Sequence, residues 1–252
     1  MKNVPLYLPI ARPPWGALGR RLESLCRKAI YTFSLLEKVE GKLAIALSGG
    51  KDSLTLLYLL KAILGRGAPH LPLVAIQVTG PYSCGASLGG ATPREICEAM
   101  EVEYIACEPA QKERALECYS CSRERRSLIF AAAKNAKAHT IAFGHHRDDN
   151  IQTLLMNALH KGEFAGNLPK VEMMHYGVTI IRPLIYVTEE EIRSFAKLYG
   201  YARITCQCPI GQNSLRKKTE DLLKHLEEVY PNARGNLAKI ALEHGSLKAL
   251  KP

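Results

Sequence analysis

No run of apolar residues in this 252-residue chain approaches the roughly 20 that a helix needs to cross a bilayer, which argues against a helical membrane span or a membrane partner. The opening stretch MKNVPLYLPIARPPWG lacks the apolar core and small-residue cleavage site of a secretory signal, so the expected compartment is the cytoplasm. Internal repeats and low-complexity tracts are missing too, which leaves an ordinary globular chain. Acidic residues are few beside basic ones: 24 Asp and Glu stand against 34 Lys and Arg, for a net charge of +10. The excess is clustered at Arg20 and Arg21, at Lys28, at Arg123, Arg125 and Arg126, and at Arg216, Lys217 and Lys218. Such clustering fits a polyanion, nucleic acid ahead of a membrane surface, although composition alone leaves a solvated basic face equally open. Also absent is the G-x-x-x-x-G-K-[ST] spacing of the common triphosphate loop.

What is present reads as alternating strands and helices. With 47% hydrophobic residues the chain can bury a full core as one large domain or as a domain with an appendage. The first 16 residues are proline-rich and read as an arm, and residues 20–38 carry apolar positions at helical spacing. Residues 43–47 form a short continuous apolar run, as a strand covered on both faces does, ahead of a glycine turn and a helical pattern over 54–60. Further strands are predicted at 71–78, 102–107 and 140–143, with helices at 93–100, 122–137 and from 148 to about 160. A hairpin-like stretch comes next around 178–181, and Thr188 is placed to cap a helix whose start Glu190 and Glu191 favour. Residues 80–92 and 203–214 read as loops, and the tail over 215–247 reads as two helices split at Tyr230-Pro231. This order implies an α/β fold around a mostly parallel sheet. The expected divisions are an N-terminal arm and helix (1–40), a nucleotide-binding domain (41–200), and a cysteine-bearing loop with a helical tail (201–252).

The glycine turn is Ser48-Gly49-Gly50-Lys51-Asp52-Ser53. Between a strand and a helix it places backbone N–H groups and the positive helix start around an anion, with the hydroxyls as further donors and Lys51 as a compact charge. Asp52 suits Mg2+ or the fixing of the loop itself.

Eight cysteines are many for a compartment in which disulfides rarely persist, so close pairs point first to a metal or to catalysis. Cys118 and Cys121 form a C-x-x-C beside a basic helical stretch, a spacing that can serve one ion, one cluster or a bridge. Cys206 and Cys208 offer a third ligand. Three protein ligands leave one position open for chemistry, whereas all four would close a structural zinc site, for which C-x-C gives little slack. Cys26, Cys97 and Cys107 read as packing residues, while Cys84 stays open. After the fourth predicted strand, Gly144-His145-His146-Arg147-Asp148-Asp149 should stand at the sheet's C-terminal edge, beside a nucleotide. Capping of the next helix is the competing role for Asp148 and Asp149.

SGGKDS at 48–53 resembles the PP-loop of the N-type ATP pyrophosphatases. Taken with C-x-x-C-S-R-x-R-R at 118–126, GHHRDDxxQT at 144–153 and IRPL at 181–184, the order and spacing resemble the tRNA 2-thiocytidine synthetase (TtcA) family from about Leu18 to Leu237. The resemblance implies a parallel-sheet domain of the adenine nucleotide alpha hydrolase kind, flanked by N- and C-terminal helices. It implies ATP and Mg2+ on Ser48, Gly49, Gly50, Lys51, Asp52, Ser53 and Gly144, and a [4Fe-4S] cluster on Cys118, Cys121 and Cys208. Asp148 and Arg125 would help position base and phosphate. The implied reaction is thiolation of a tRNA pyrimidine, cytidine 32 first, with release of AMP and pyrophosphate. Sulfide or persulfide would come from a cysteine desulfurase, and the protein would be a homodimer. One motif departs from the family: its last cysteine pair is C-x-x-C-G-S, whereas this chain has Cys206-Gln207-Cys208-Pro209. Cys208 is favoured because a C-P loop occurs in the similar tRNA 2-thiouridine synthetases, and Cys206 remains the alternative. A cluster-free thiolase using a cysteine persulfide, a 2-thiouridine synthetase and a non-catalytic Fe-S RNA-binding protein are the competing readings.

Overall fold

Segments apolar on both faces need cover above and below, and the two most apolar runs of this chain receive it. A computed structural model describes residues 8–79, 92–108, 118–202 and 215–244, except for the side chains of 118–122. Strand β1 (Leu43–Ala46) pairs in parallel with β2 (Leu73–Val78) on one side, Leu43 opposite Leu73, and with β4 (Thr140–Ala142) on the other, Ile45 opposite Ala142. Beyond β2 lies β3 (Glu103–Cys107), also parallel. Beyond β4 lies β6 (Val178–Ile181), again parallel, and β5 (Lys170–Met173) closes that edge antiparallel to it. The described order is therefore β3-β2-β1-β4-β6-β5.

The pleat divides the core. Leu43, Ile45 and Ala75 face one layer with α1 (Ala17–Thr32), α2 (Lys51–Ile63) and α6 (Glu189–Leu198). Ala44, Val74 and Ile76 face the other, with Phe130 and Ala133 of α4 (Cys118–Asn135). Helix α2 is buried on nearly all sides from Ser53 to Ile63, as expected of a helix apolar all round and covered by sheet, α1 and α6. Between β2 and β3 runs the short α3 (Pro93–Ala99), started by a Thr92–Glu95 capping box. On the far side, α5 (Arg147–Lys161) carries a hairpin of α7 (Leu215–Val229) and α8 (Ala233–Glu243), packed through Ile151, Leu223 and Ala238.

Two expectations need correction. Helix α1 ends at Thr32, not Lys38, because Ser34 and Lys38 turn to positive φ (47° and 60°) and break the ladder. Residues 8–16 are no loose arm: Ala11 and Trp15 are buried, the Tyr58 hydroxyl donates to the Pro9 carbonyl (2.8 Å), and Trp15 meets Phe195 edge-on at 5.7 Å. Proline keeps this segment extended, so it lacks the periodicity that marks packed elements. Thr188 caps α6 as expected, accepting the Glu191 N–H at 3.0 Å. The glycine- and serine-rich loop, apart from Thr92, and the loop at 203–214 lie outside the described residues. Among the described residues no helix is long and apolar enough to cross a membrane.

Phe195 ties the N-terminal segment to α6 and is fully buried against Trp15, Tyr199 and Tyr201. Phe195→Ala should lower unfolding stability by roughly 3–5 kcal/mol. Urea titration monitored by fluorescence of Trp15, the chain's single tryptophan, measures it.

Candidate active site

Strand order reverses direction at β1, where the chain crosses outward to β2 on one side and β4 on the other, and such switch points open a crevice at the strands' C-terminal ends. Both polar motifs open there. In the first, Gly49 adopts φ 81°, and Gly50 precedes the first turn of α2. The turn is braced from within: the Ser53 hydroxyl donates to the Gly50 carbonyl (3.0 Å) and accepts from the Ser48 N–H (3.2 Å), and the Gly50 N–H donates to the Ser48 hydroxyl (3.2 Å). Ser48, Gly49, Gly50 and Ser53 thus form a braced turn at a helix start, the kind of place where backbone N–H groups can receive an anion.

Gly144, directly after β4, lies against this turn. A Cβ there would stand 3.1 Å from the Asp52 carbonyl carbon and the Ser53 nitrogen and 3.2 Å from the Asp52 oxygen, all of them backbone. Only glycine lets the two motifs approach so closely. The resulting cavity, about 320 Å³, has Ser48, Asp52 and Ser53 on one side, Gly144, His145 and Asp149 on another, and Arg125 and Ile129 of α4 across from them. Arg216, in the first turn of α7, lines it as well.

Lys51 lies 3.0 Å from Asp52 Oδ1 and 3.2 Å from Glu189 Oε1. Burial opposes its charge, but the two carboxylates outweigh that and hold its pKa above the usual lysine value. Glu189 in turn is held below the ordinary glutamate range, because Lys51 outweighs its burial. Asp149 takes the His146 N–H at 3.1 Å and pairs with Arg216; although burial disfavours its charge, His146 and Arg216 keep it low and ionised. Asp149 therefore caps its own helix, as the competing reading had it. Asp148 does something different: its Oδ2 accepts the N–H of Glu189 at 2.8 Å, supporting the start of α6, while its Oδ1 pairs with Arg234 of α8 at 3.2 Å. Of the two residues expected to position base and phosphate, Arg125 reaches the cavity wall, whereas Asp148 is buried and does not line it; Asp149, for which no such role was expected, lines it instead.

His145 stacks on Phe143 with planes 5° apart and accepts from Arg182 Nε at 3.3 Å through Nδ1, so its proton sits on Nε2. Burial, reinforced by the Arg182 charge, lowers its pKa to about 3. Arg182 also donates to the Leu168 carbonyl, tying the edge hairpin to this loop. Sequence reasoning gave Glu189 no role, Arg216 only a place in a basic cluster for a polyanion, and Arg182 only a place in the IRPL motif; the position of Arg182 right after a strand at the ligand edge was the available signal for a site role.

Cys118 and Cys121 open α4, with their side chains outside the described set, and Cys84, Cys206 and Cys208 lie outside the described residues entirely. Cys26 and Cys97 are buried and their thiols pushed up to about 12 by burial, and Cys107 is half-buried and raised by the same cause, as packing residues should be. Among the described residues no three His, Cys, Asp or Glu side chains gather as a ready-made metal site.

This geometry generates two tests. Gly144→Ala should leave the circular dichroism spectrum intact yet weaken ATP binding by roughly tenfold or more, since backbone on both sides must move apart and overpacking of this kind typically costs about 1–3 kcal/mol; wild-type binding by calorimetry would contradict it. For His145 the native state resists protonation while the unfolded chain binds a proton near 6.5, so its contribution is intact above that pH and is lost as pH falls toward 3. His145→Asn should flatten the acid limb of stability against pH, measured by urea midpoints from pH 7 to 4.

A PP-loop domain family matches residues 19–205. The chain is 33% identical over 227 residues to a tRNA-cytidine(32) 2-sulfurtransferase of Syntrophotalea carbinolica, covering 87% of each chain. With the same-named protein of Geobacter metallireducens it shares 31% over 227 residues, 87% of this chain and 88% of the other. Among solved structures, the U34-tRNA thiolase NcsA from Methanococcus maripaludis with its [4Fe-4S] cluster superposes with a TM-score of 0.69 at 24% identity, over 88% of this chain and 76% of that one, a likeness of fold. With its crevice built from the loop after β1 and the motif after β4, this chain belongs to the PP-loop family and, within it, to the tRNA-cytidine(32) 2-sulfurtransferases.

Proposed function

We propose that this protein is a cytoplasmic ATP-dependent tRNA sulfurtransferase that replaces the C2 oxygen of a tRNA cytidine, position 32, with sulfur. One observation carries the reading: the α4 face that closes the nucleotide cavity with Arg125 and Ile129 continues, at spacings of four and three residues, through positions 121 and 118. Positions 118 and 121 thus fall on the same backbone stripe of α4 as Arg125 and Ile129. Cys208 precedes the cavity-lining Arg216 by eight residues in the chain, which supports it as the third thiolate, and Cys206 lies two positions further back. Cys118, Cys121 and Cys208 would hold a [4Fe-4S] cluster, which would supply sulfide to the reaction. Asp52, at the cavity wall and beside Lys51, suits Mg2+, which takes one or two carboxylates together with substrate phosphates.

The braced turn at 48–53 receives the β- and γ-phosphates, and the pyrimidine O2 attacks the α-phosphorus. The P–O bond to pyrophosphate breaks, and the N–H groups and Lys51 stabilise the charge that leaves. The O2-adenylated C2 is now an electrophile. Sulfide adds there, the C2–O bond breaks, AMP departs with the former base oxygen, and loss of the sulfide proton leaves the thiocarbonyl. Neutral His145 adds no positive charge beside Arg125 and Arg216.

The basic clusters divide in a way that fits a tRNA substrate. Arg20 donates to the Trp15 carbonyl, Arg21 pairs with Glu191, and Lys28 stands 4.8 Å over the Tyr186 ring, so the exposed α1 cluster has partners within the chain. The clusters at 123–126 and 216–218 instead each send one arginine, Arg125 and Arg216, to the cavity wall, with exposed Arg126 and Lys218 around it. Phosphates of a tRNA arm with an unstacked base fit that rim. A second copy of the chain and a cysteine desulfurase supplying sulfide or persulfide complete the proposed partners, and the three divisions at 40 and 200 remain the proposed domain plan. Nucleoside mass spectrometry of tRNA from a strain lacking this protein should show loss of 2-thiocytidine, restored by wild type and not by Cys118→Ser; unchanged thionucleosides would refute the assignment.

A further inference from the structure

Arg216 lies beyond the span that the PP-loop family matches, residues 19–205, yet its side chain lines the same cavity as Ser48 and Ser53. There it meets Asp149 Oδ1. The other arginine that the C-terminal hairpin sends to the acidic motif shows the contrast. Arg234 holds Asp148 at 3.2 Å, Glu220 at 2.7 Å and Glu227 at 2.9 Å, and its side chain is only 16% exposed. Glu220 is held further by Gln152, at 2.8 Å. Arg234 is thereby fixed as the pin between α8, α7 and α5.

Arg216 is held far more lightly. Its side chain is 45% exposed, and an ion pair with so exposed a partner contributes little, because water competes for both charges. Asp149 does not depend on it for position: it keeps the His146 N–H at 3.1 Å and lies 3.4 Å from His146 Nε2. Releasing Arg216 therefore leaves Asp149 held. Phosphates seated on the turn at 48–53 enter a cavity with Arg216 on its wall, and a guanidinium grips phosphate oxygens bidentately, with a geometry that an ammonium cannot copy.

We propose that Arg216 is a phosphate-gripping residue of the nucleotide site, resting on Asp149 when no nucleotide is bound and transferring to the triphosphate when one is. The proposal deepens the nucleotide reading of residues 48–53 and rests on it. It makes the C-terminal hairpin part of the ATP site, with Arg234 anchoring the hairpin and Arg216 as its working end.

The test is calorimetric titration of the full chain, with Mg2+ and without tRNA, using α,β-methylene-ATP and, separately, AMP. Arg216→Ala should weaken the triphosphate analogue by roughly tenfold or more with AMP affinity unchanged, and Arg216→Lys should recover part of the loss, because charge returns without the fork. Thermal midpoints of both variants should stay within about a degree or two of wild type, since a lightly held surface pair is being removed. Unaltered binding of the analogue by Arg216→Ala would overturn the proposal, as would equal loss of analogue and AMP, which would mark a general disturbance. Failure of the wild-type protein to bind either nucleotide would sink the nucleotide reading itself, a distinct result.

Discussion

The site depends on the contact of Gly144 with the first turn of α2. Two loops leave neighbouring parallel strands, and the backbone of one must lie within van der Waals distance of the peptide joining Asp52 to Ser53. A hydrogen in place of a Cβ makes that approach possible, and the consequences are geometric. The acidic motif stands directly over the phosphate turn, His145 is pressed between Phe143 and Arg182, and the space that remains is bounded by α4 on its open side. Preorganisation of this kind matters in phosphoryl and nucleotidyl transfer, where positioning and electrostatics supply most of the catalysis.

Around that contact the charges are arranged in two shells. The inner one reaches the cavity through Asp52, Asp149 and Arg216: Lys51 is shared by Asp52 and Glu189, and Asp149 by His146 and Arg216, and among these side chains Arg216 is the most exposed, at 45%. The outer one is buried and committed, with Asp148 joining the start of α6 to Arg234, and Arg234 joining α8 to α7. Breaking a buried, hydrogen-bonded charge is expensive, whereas an exposed one shifts readily. The fold thereby keeps its frame rigid while Arg216 beside the cavity is free to shift.

Much of this was legible in the residues. Continuous apolar runs at 43–47 and 71–78 marked buried parallel strands, Thr188 with Glu191 marked a helix start, and SGGKDS marked a glycine turn between strand and helix. What escaped was whatever depends on tertiary proximity. Nothing local distinguishes Asp148 from Asp149, yet one supports a helix 41 residues away and the other caps its own. Trp15 and Ala11 sit in an extended proline-rich stretch with no period to betray burial, and Glu189 and Arg216 became site residues only because α6 and α7 begin at the sheet's ligand edge.

The loop at 48–53 serves, in the proposed reaction, to transfer AMP to a base oxygen, with sulfur then taking that oxygen's place. Labelling the C2 oxygen of the tRNA cytidine with oxygen-18 and identifying the nucleotide products tests that sequence of events most directly. With ATP, Mg2+ and a sulfide source, the label should appear in the phosphate of AMP, in step with pyrophosphate and thiocytidine. ADP and inorganic phosphate as products, or label found in water, would contradict it.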